Sequence, residues 1–271
     1  MSANSRAASG AVIANARKAG RAALVGYLPA GFPTFDGCVT ALTAMVESGV
    51  DVVEVGLPYS DPVLDGPVIQ TAADRALHNG TRIADVLRTV EAVAATGAGV
   101  VVMTYYNPVL RYGVDRFARD LAAAGGSGLI TPDLVPDEAG EWIEAADAHD
   151  LERIFLVAPS TTPARIASTV EACRGWVYAA STMGVTGARE QTSSLAPALV
   201  DRVRKATSLP VGVGLGVSSG DQAAEVATYA DAVIVGSAFV RPLLEPADET
   251  AGIAAVARLA TELADGCRRG N

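Results

Sequence analysis

Short apolar runs alternate with longer amphipathic segments along the whole chain. Residues 100–104 (VVVMT) are apolar at almost every position, which is typical of a strand covered on both faces in a parallel sheet. Residues 35–48 instead repeat their apolar side chains at helical spacing. The pattern predicts eight strands, over residues 22–26, 50–57, 100–104, 128–131, 153–158, 176–180, 209–214 and 232–235.

Helical segments follow the predicted strands, and an extra helix over residues 9–19 precedes the first strand. No Pro/Ser-rich linker interrupts the alternation, so residues 1–271 are expected to form one domain, with residues 1–8 as a flexible tail. Eight such units close a barrel. A doubly wound open sheet is the alternative, but no G-x-G-x-x-G follows the first strand. The expected fold class is therefore α/β, a single (β/α)8 TIM barrel with an extra N-terminal helix.

Composition narrows the classes of function. Half of the 271 residues are hydrophobic and 19% are charged, so the chain can bury a large core. Its net charge of −9 and its lack of a Lys/Arg cluster disfavour nucleic-acid and anionic-membrane partners. The sequence shows no signal-peptide core and no apolar stretch of the ~18 residues that cross a membrane. With three scattered cysteines, these features predict a soluble, cytoplasmic protein.

Metal and Schiff-base chemistry are disfavoured by the positions of the residues that would be needed. The two histidines precede turns, the three cysteines are far apart, and the two lysines lie in helical segments rather than at strand ends. No metal site and no strand-end lysine are therefore expected. The residues concerned are His78, His149, Cys38, Cys173, Cys267, Lys18 and Lys205.

Two carboxylates mark the second predicted strand and the loop after it. Glu54 shares a strand face with Val50 and Val52, where a carboxylate is costly to bury unless it is used or paired. Asp65 follows eleven positions later in a turn-rich loop. Burial is expected to raise the pKa of Glu54 and suit it to proton exchange, whereas Asp65 is expected to stay ionised. In the alternative interpretation both residues have structural roles, with Glu54 in an ion pair and Asp65 in a turn.

Glycine-rich loops follow the last three predicted strands, at residues 184–187, 214–219 and 236–240. Active sites of βα barrels lie at the carboxyl ends of the strands, and the last loops commonly hold a phosphate. Backbone N–H groups and a helix beginning near Ser237 would bind the anion without lysine. Glycine also forms ordinary turns, but three such loops together favour a phosphate-ester substrate.

Aromatic and apolar residues near the strand ends are further candidates. Tyr178 offers a hydroxyl at the predicted barrel mouth, although an aromatic at this spacing can equally fill the core. Tyr27, Met103, Tyr105 and Leu156 are expected either to line a flat hydrophobic pocket or to fill the barrel. The site would then combine an apolar pocket, two carboxylates and an anion-binding end.

Residues 54–67 read Glu-x-Gly-x-Pro-x-Ser-Asp-Pro-x-x-Asp-Gly-Pro, which resembles the signature of the tryptophan synthase alpha subunit family. The resemblance covers nearly the whole chain, with PAGFP, YYNP, PDLVPDE, GVTG and GSAFV after successive strands. It implies a lyase of tryptophan biosynthesis that cleaves indole-3-glycerol phosphate to indole and glyceraldehyde 3-phosphate, with no cofactor in this chain. It also implies a beta-subunit partner that carries pyridoxal phosphate, in an α2β2 complex through which indole passes.

The resemblance also implies roles for individual residues. Glu54 matches the acid–base glutamate, Asp65 the aspartate that binds the indole N–H, and Tyr178 the active-site tyrosine. Thr186 matches the loop threonine that closes onto the aspartate, and Asp61 lies in the loop that the family couples to its partner. The matching phosphate-binding positions are Gly187, Gly216, Gly236 and Ser237.

Some positions depart from the family pattern, and other functions stay open. Phe32 stands where the family often has Asp, and Tyr27 stands where a Phe often lines the indole pocket. One alternative is another phosphate-binding barrel lyase or isomerase, such as a relative of indole-glycerol-phosphate synthase. Another is a regulatory subunit that binds the phosphate ester and switches a partner. A Glu54→Gln variant separates these interpretations, because only the lyase requires the carboxyl group.

Overall fold

The structure is a computed structural model and describes residues 6–180, 195–214 and 216–270. Within these residues, all strands are parallel and belong to one sheet. The strands are β1 (Ala23–Pro29), β2 (Val52–Gly56), β3 (Gly99–Met103), β4 (Gly128–Ile130), β5 (Glu152–Ile154), β6 (Leu156–Val157), β7 (Val177–Ala180), β8 (Val211–Gly214) and β9 (Ala232–Val235).

Helices alternate with these strands as the sequence predicts, and a 3₁₀ turn at Pro136–Glu138 precedes the seventh helix. The helices are α1 (Ser9–Lys18), α2 (Phe35–Glu47), α3 (Pro67–His78), α4 (Ile83–Ala94), α5 (Tyr106–Tyr112), α6 (Val114–Ala123), α7 (Gly140–Ala148), α8 (Pro163–Ala172), α9 (Ala196–Arg204), α10 (Gly220–Ala227), α11 (Ser237–Leu244) and α12 (Glu249–Arg269).

The sheet order is β5-β4-β3-β2-β1-β9-β8-β7-β6, and its two ends are consecutive pieces of one extended segment. β5 pairs with β4, whereas β6 pairs with β7, so the segment joins both neighbours and closes the barrel. Phe155 lies between the two pieces, and its carbonyl accepts the N–H of Tyr178 at 3.2 Å. The predicted fifth strand, 153–158, is therefore divided in two. The (β/α)8 barrel with an extra N-terminal helix is confirmed.

Alternate strand residues separate two hydrophobic regions. Val25, Val52 and Val101 point into the barrel, together with Ile13 and Ala16 of α1, which closes its amino-terminal end. The strand residues between these positions, in β2 as in the other strands, point outward and pack against the surrounding helices. Glu54 lies two residues after Val52 on the inward-facing side of β2, so the strand alternation places its carboxyl group inside the barrel.

A carboxylate from β5 caps the first turn of α1. No side chain at Ala8, the residue before α1, caps this helix. Glu152 accepts the backbone N–H groups of Ser9 and Gly10 at 3.0 and 2.9 Å, as well as the Ser9 hydroxyl. Trp176 donates its indole N–H to the Ser9 hydroxyl at 2.9 Å. This buried network satisfies the free N–H groups of the helix and docks it on the barrel.

Some predicted boundaries were wrong. No helix was predicted at YYNP after the third strand, but Tyr106 begins α5, because Asp133 accepts its N–H at 3.0 Å and Pro108 lies in the first turn, where an N–H has no helical partner. β1 continues to Pro29, because Tyr27 lies opposite Glu54 in the pairing with β2. The apolar pattern predicts a last helix over residues 249–264, whereas α12 continues to Arg269.

The assignment of residues 1–271 to one domain, with 1–8 as a flexible tail, stays a prediction. Residues 6–8 are described, and the Arg6 side chain donates to the carbonyl of His149 at 3.4 Å. No helix in the described ranges is both long and apolar enough to span a bilayer.

Glycines allow α10 and α12 to approach closely. A Cβ atom added to Gly266 would lie 2.2 Å from the carbonyl oxygen of Gly220, and one added to Gly220 would lie 2.7 Å from that of Glu262. A Cβ atom added to Gly270, at the end of α12, would lie 2.4 Å from the carbonyl oxygen of Ala224. These contacts involve backbone atoms, so a larger side chain would have to separate the helices.

We therefore expect Gly266→Ala to lower the free energy of unfolding by about 1–3 kcal/mol, because the added methyl group overpacks this crossing. Gly140→Ala is the matched control, since Gly140 begins α7 and a Cβ there meets nothing within 4 Å. The control should gain up to about 1 kcal/mol through the higher helix propensity of alanine. Urea denaturation of the three proteins measures both changes, and equal stabilities would contradict the close packing.

Candidate active site

A cavity of about 400 Å³ opens at the carboxyl ends of the barrel strands. Asp61 is exposed and does not line it, whereas Thr186 and Gly187 lie outside the described residues. The other predicted site residues all line this one cavity, namely Tyr27, Glu54, Asp65, Met103, Tyr105, Leu156, Tyr178, Gly216, Gly236 and Ser237.

Glu54 is the buried acid of the cavity. It is 2% exposed, and its Oε1 atom has no hydrogen-bond partner among the described residues. Burial raises its pKa from 4.5 to about 8, so the carboxyl group is mostly protonated at neutral pH. The alternative in which Glu54 is a structural ion-pair partner finds no support in the described part of the chain. A protonated carboxyl group facing a cavity can instead donate a proton to a bound molecule.

Asp65 is half-buried at the end of the loop between β2 and α3. The Tyr105 hydroxyl donates to its Oδ1 atom at 3.2 Å, and Gln70 donates its side-chain N–H to the Asp65 carbonyl at 2.7 Å. Burial raises the pKa of Asp65, while the hydrogen bond from Tyr105 lowers it. The sequence predicts an ionised Asp65 in a polar loop. In the structure, burial beside the cavity acts against this ionisation.

Two tyrosine rings lie against glycine backbone beside Glu54. A Cβ atom added to Gly56 would lie 2.4 Å from the Tyr27 hydroxyl oxygen, and one added to Gly214 would lie 2.5 Å from that of Tyr178. Burial raises the pKa of both hydroxyl groups well above 10, and the nearby Asp65 carboxylate adds to the effect at Tyr27. Both tyrosines are therefore neutral hydrogen-bond donors at physiological pH, and both need glycine in the neighbouring strand.

The part of the cavity lining that follows β8 and β9 is suited to an anion. Gly236 precedes α11, and no side chain of the described residues caps the N-terminus of this helix. Ser237 is its first residue and is 7% exposed. Gly216 has a φ of +76°, a conformation that favours glycine. Open backbone N–H groups and the positive end of the helix dipole can hold a phosphate here.

Further cavity residues were not singled out from the sequence. Leu64 and Ile69 flank Asp65 on the same loop and helix, so proximity to the carboxylate was an available signal. Thr104 and Thr161 follow strand ends, which is a weaker signal because many polar residues do so. The remaining lining residues are Leu57, Pro132, Val157, Ala158, Ala180, Gly214 and Ile234.

Phe32, the departure in the loop after β1, lies in the hydrophobic core and has no exposed surface. Its side chain therefore contributes to packing rather than to a surface contact. The two histidines lie at helix ends, as expected, where His78 ends α3 and His149 follows α7. Within the described ranges, no three His, Cys, Asp or Glu side chains are grouped as metal ligands.

The arrangement combines a buried carboxyl group, a half-buried carboxylate, apolar walls and a glycine-lined end beside a helix N-terminus without a side-chain cap. A family model described as tryptophan synthase alpha chain matches residues 13–268. Relatives with that description include those of Salinispora tropica, 63% identical over 96% of this chain and 97% of the relative, and Acidothermus cellulolyticus, 64% identical over the same shares.

Solved structures agree with this match. A structure of Mycobacterium tuberculosis tryptophan synthase superimposes with a TM-score of 0.90 at 59% identity, over 97% of this chain and 99% of that chain. The tryptophan synthase alpha chain of Legionella pneumophila subsp. pneumophila superimposes with a TM-score of 0.82 at 31% identity, over 95% of each chain. Because the likeness in sequence and in fold spans the barrel from end to end, this chain belongs to the tryptophan synthase alpha chain family.

Proposed function

We infer that this protein cleaves indole-3-glycerol phosphate to indole and glyceraldehyde 3-phosphate, and that a tryptophan synthase beta subunit receives the indole. Family membership supplies the reaction. The observation that carries the chemistry is Glu54, a buried carboxyl group whose Oε1 atom lacks a partner and whose pKa is raised to about 8. Such a group both donates and accepts a proton near neutral pH.

In the first step, protonated Glu54 transfers its proton to C3 of the indole ring. The ring then carries a positive charge that is delocalised onto its nitrogen. Asp65, in its ionised form, accepts the ring N–H and stabilises this charge. The neutral Tyr178 hydroxyl is placed to donate a hydrogen bond within the same cavity.

In the second step, the Glu54 carboxylate removes the proton from the glycerol hydroxyl next to the ring. The electron pair of that O–H bond forms the carbonyl of glyceraldehyde 3-phosphate. The bond between the ring and the glycerol carbon breaks, and its electrons neutralise the charged ring to give indole. Glu54 ends as it began, protonated, so the reaction consumes no other proton and needs no oxidant.

The two ends of the cavity would orient the substrate. Gly216, Gly236 and Ser237 would hold the phosphate through backbone N–H groups and the start of α11. Met103 and Leu156, with the aromatic side chains that line the same cavity, would enclose the flat indole ring. Gly187 and Thr186 are proposed to complete the phosphate site and to close onto Asp65, as the family pattern implies.

A partner surface is proposed on the rim of the barrel. Val63, Leu110 and Val135 follow β2, β3 and β4 and keep 75%, 50% and 49% of their surfaces exposed. Large apolar residues exposed on neighbouring segments are typical of a protein interface. Asp61, also exposed, would lie in the coupled loop. The beta subunit would carry the pyridoxal phosphate, in an α2β2 assembly within the cytoplasm.

The alternatives receive less support. A barrel lyase that uses a strand-end lysine does not fit, because Lys18 ends α1 and Lys205 follows α9. A regulatory subunit without activity would not need Glu54 at its position, since an unpaired buried carboxyl group costs stability.

Replacing Glu54 by Gln should abolish cleavage while leaving the phosphate ester bound. We expect kcat to fall by about 10²- to 10⁴-fold, because the variant loses its acid–base group, while the Kd changes little. Indole release and calorimetric binding of indole-3-glycerol phosphate measure the two quantities. Glu152→Gln is the matched control, since this other buried glutamate lies at the opposite end of the barrel and should lose stability rather than kcat. Turnover of Glu54→Gln at the wild-type rate would refute the role of Glu54.

The raised pKa of Glu54 also predicts a pH-dependent stability. Between pH 4.5 and about 8, the unfolded chain ionises this group while the folded protein keeps it protonated, so the folded state binds more protons. The free energy of unfolding should therefore fall by about 1.4 kcal/mol per pH unit from this group as pH rises through that window, and level off above it. Glu54→Gln lacks this slope. Urea denaturation at pH 5 and pH 8 should show that the variant becomes the more stable protein at pH 8, and parallel curves would contradict the pKa.

The proposed partner should accelerate the reaction. Indole release by the purified chain is expected to be slow, and to rise sharply when a cognate beta subunit is added. Leu110→Asp, which places a charge on the proposed surface, should weaken that stimulation and leave the slow basal rate unchanged. Leu195→Asp is the matched control, because Leu195 is 56% exposed and precedes α9, away from the rim segments after β2, β3 and β4. Stimulation that both variants retain in full would place the partner elsewhere.

A further inference from the structure

We propose that the hydroxyl group of Tyr105 is a positioning group that holds the loop of residues 57–66 over the cavity and thereby places Asp65 against the substrate. The proposal rests on the inferred cleavage reaction, in which Asp65 stabilises the charged indole ring. Tyr105 acts on the reaction through that carboxylate rather than on the reacting atoms.

The Tyr105 hydroxyl group makes three hydrogen bonds, all to the loop of residues 57–66. Its oxygen accepts the backbone N–H groups of Val63 and Leu64 at 3.1 and 2.8 Å, and its proton goes to the Asp65 carboxylate at 3.2 Å. A phenol has two acceptor positions and one donor, so these three bonds determine the direction of its proton. The two accepted bonds also polarise the hydroxyl and strengthen the bond that it donates.

The backbone that carries Tyr105 is anchored outside that loop, whereas its ring packs against the loop residue Tyr59. Tyr105 is 5% exposed and lies at the junction between β3 and α5. Asp133, after β4, accepts the N–H of Tyr106 at 3.0 Å and so anchors the start of α5. The ring of Tyr59 lies 5.3 Å from that of Tyr105, and Asn107 donates to the Tyr59 hydroxyl at 3.2 Å. The loop after β2 is thus attached to the segments after β3 and β4.

The loop of residues 57–66 is attached to Tyr105 although part of it is exposed to solvent. Val63 is 75% exposed, so its backbone would otherwise exchange hydrogen bonds with water. One phenol hydroxyl replaces water for two consecutive N–H groups and for the carboxylate that follows them. Removal of that oxygen would release three hydrogen-bonding groups at once, all within three residues of the chain.

The same hydroxyl affects the protonation of Asp65. Burial raises the pKa of Asp65 and the Tyr105 hydrogen bond lowers it, so the bond favours the ionised form that the reaction needs. Among the described residues, the other titratable groups that line the cavity with Asp65 and Tyr105 are Tyr27 of β1, Glu54 of β2 and Tyr178 of β7, and burial raises the pKa of all three. Tyr105 is therefore the neighbour that favours the negative charge.

Tyr105→Phe tests the proposal, because it removes one oxygen atom and keeps the ring. We expect kcat/KM for indole-3-glycerol phosphate to fall by about tenfold to a hundredfold, the effect of losing a hydrogen bond to a charged group. The acidic limb of the pH profile of kcat/KM should move to higher pH, by on the order of one unit, because Asp65 loses the bond that favours its ionised form. A purely structural role would lower activity without moving this limb.

Tyr106→Phe is the matched control. The Tyr106 hydroxyl is buried without a hydrogen-bond partner among the described residues, and Tyr106 does not line the cavity. The same chemical change one residue along the chain should therefore leave kcat/KM and the pH profile unchanged. In an Asp65→Asn background, Tyr105→Phe should have a smaller effect on kcat/KM than in the wild type, since the ionised acceptor is already lost.

Chymotrypsin digestion tests the loop directly and does not depend on the reaction. Cleavage after Tyr59 or Leu64 should be faster in Tyr105→Phe than in the wild type or in Tyr106→Phe, because the loop has lost its anchor. An unmoved acidic limb together with unchanged cleavage would overturn the proposal. Absence of indole release from the wild type with its beta subunit would instead overturn the inferred reaction, and faster loop cleavage in Tyr105→Phe would still support the anchor.

Discussion

The structure depends on keeping the Glu54 carboxyl group away from water. Its pKa of about 8 exists only because β2 carries it on the inward face of a closed barrel, with apolar residues below it. Helix α1 seals the lower end of that interior, and Tyr27 and Tyr178 line the cavity together with the carboxyl group. Access of bulk water would return the pKa towards 4.5 and remove the proton donor. Burial of this carboxyl group lowers the stability of the fold and gives the group the raised pKa that the proposed reaction requires.

The features that could be predicted from sequence are those with a local pattern. Uninterrupted apolar runs identified the strands, and two-residue alternation placed Glu54 on the same face as Val52, which is inside the barrel. The glycines after the last strands indicated residues that line the cavity, and the motif around Glu54 and Asp65 indicated the family. Each of these signals lies within a few residues of the feature that it predicts.

The features that could not be predicted depend on contacts between distant segments. Tyr105 lies 40 residues from Asp65, and only the fold brings its hydroxyl to that loop. α5 was not predicted, because the Asp133 cap comes from 27 residues further along the chain. The division of the fifth strand at Phe155 follows from barrel closure, which no single strand sequence encodes. Roles that depend on side-chain hydrogen bonds between loops therefore require coordinates.

The cap of α1 has a consequence for how the protein forms. Ser9 and the Glu152 carboxylate are separated by 143 residues, and Trp176, which also bonds Ser9, follows later still. During synthesis from the amino terminus, α1 therefore has no capping partner until more than half of the chain has been made. An early helix that must wait for a late strand gives a high contact order, and such topologies fold slowly. The lower end of the barrel can be sealed only after most of its wall exists.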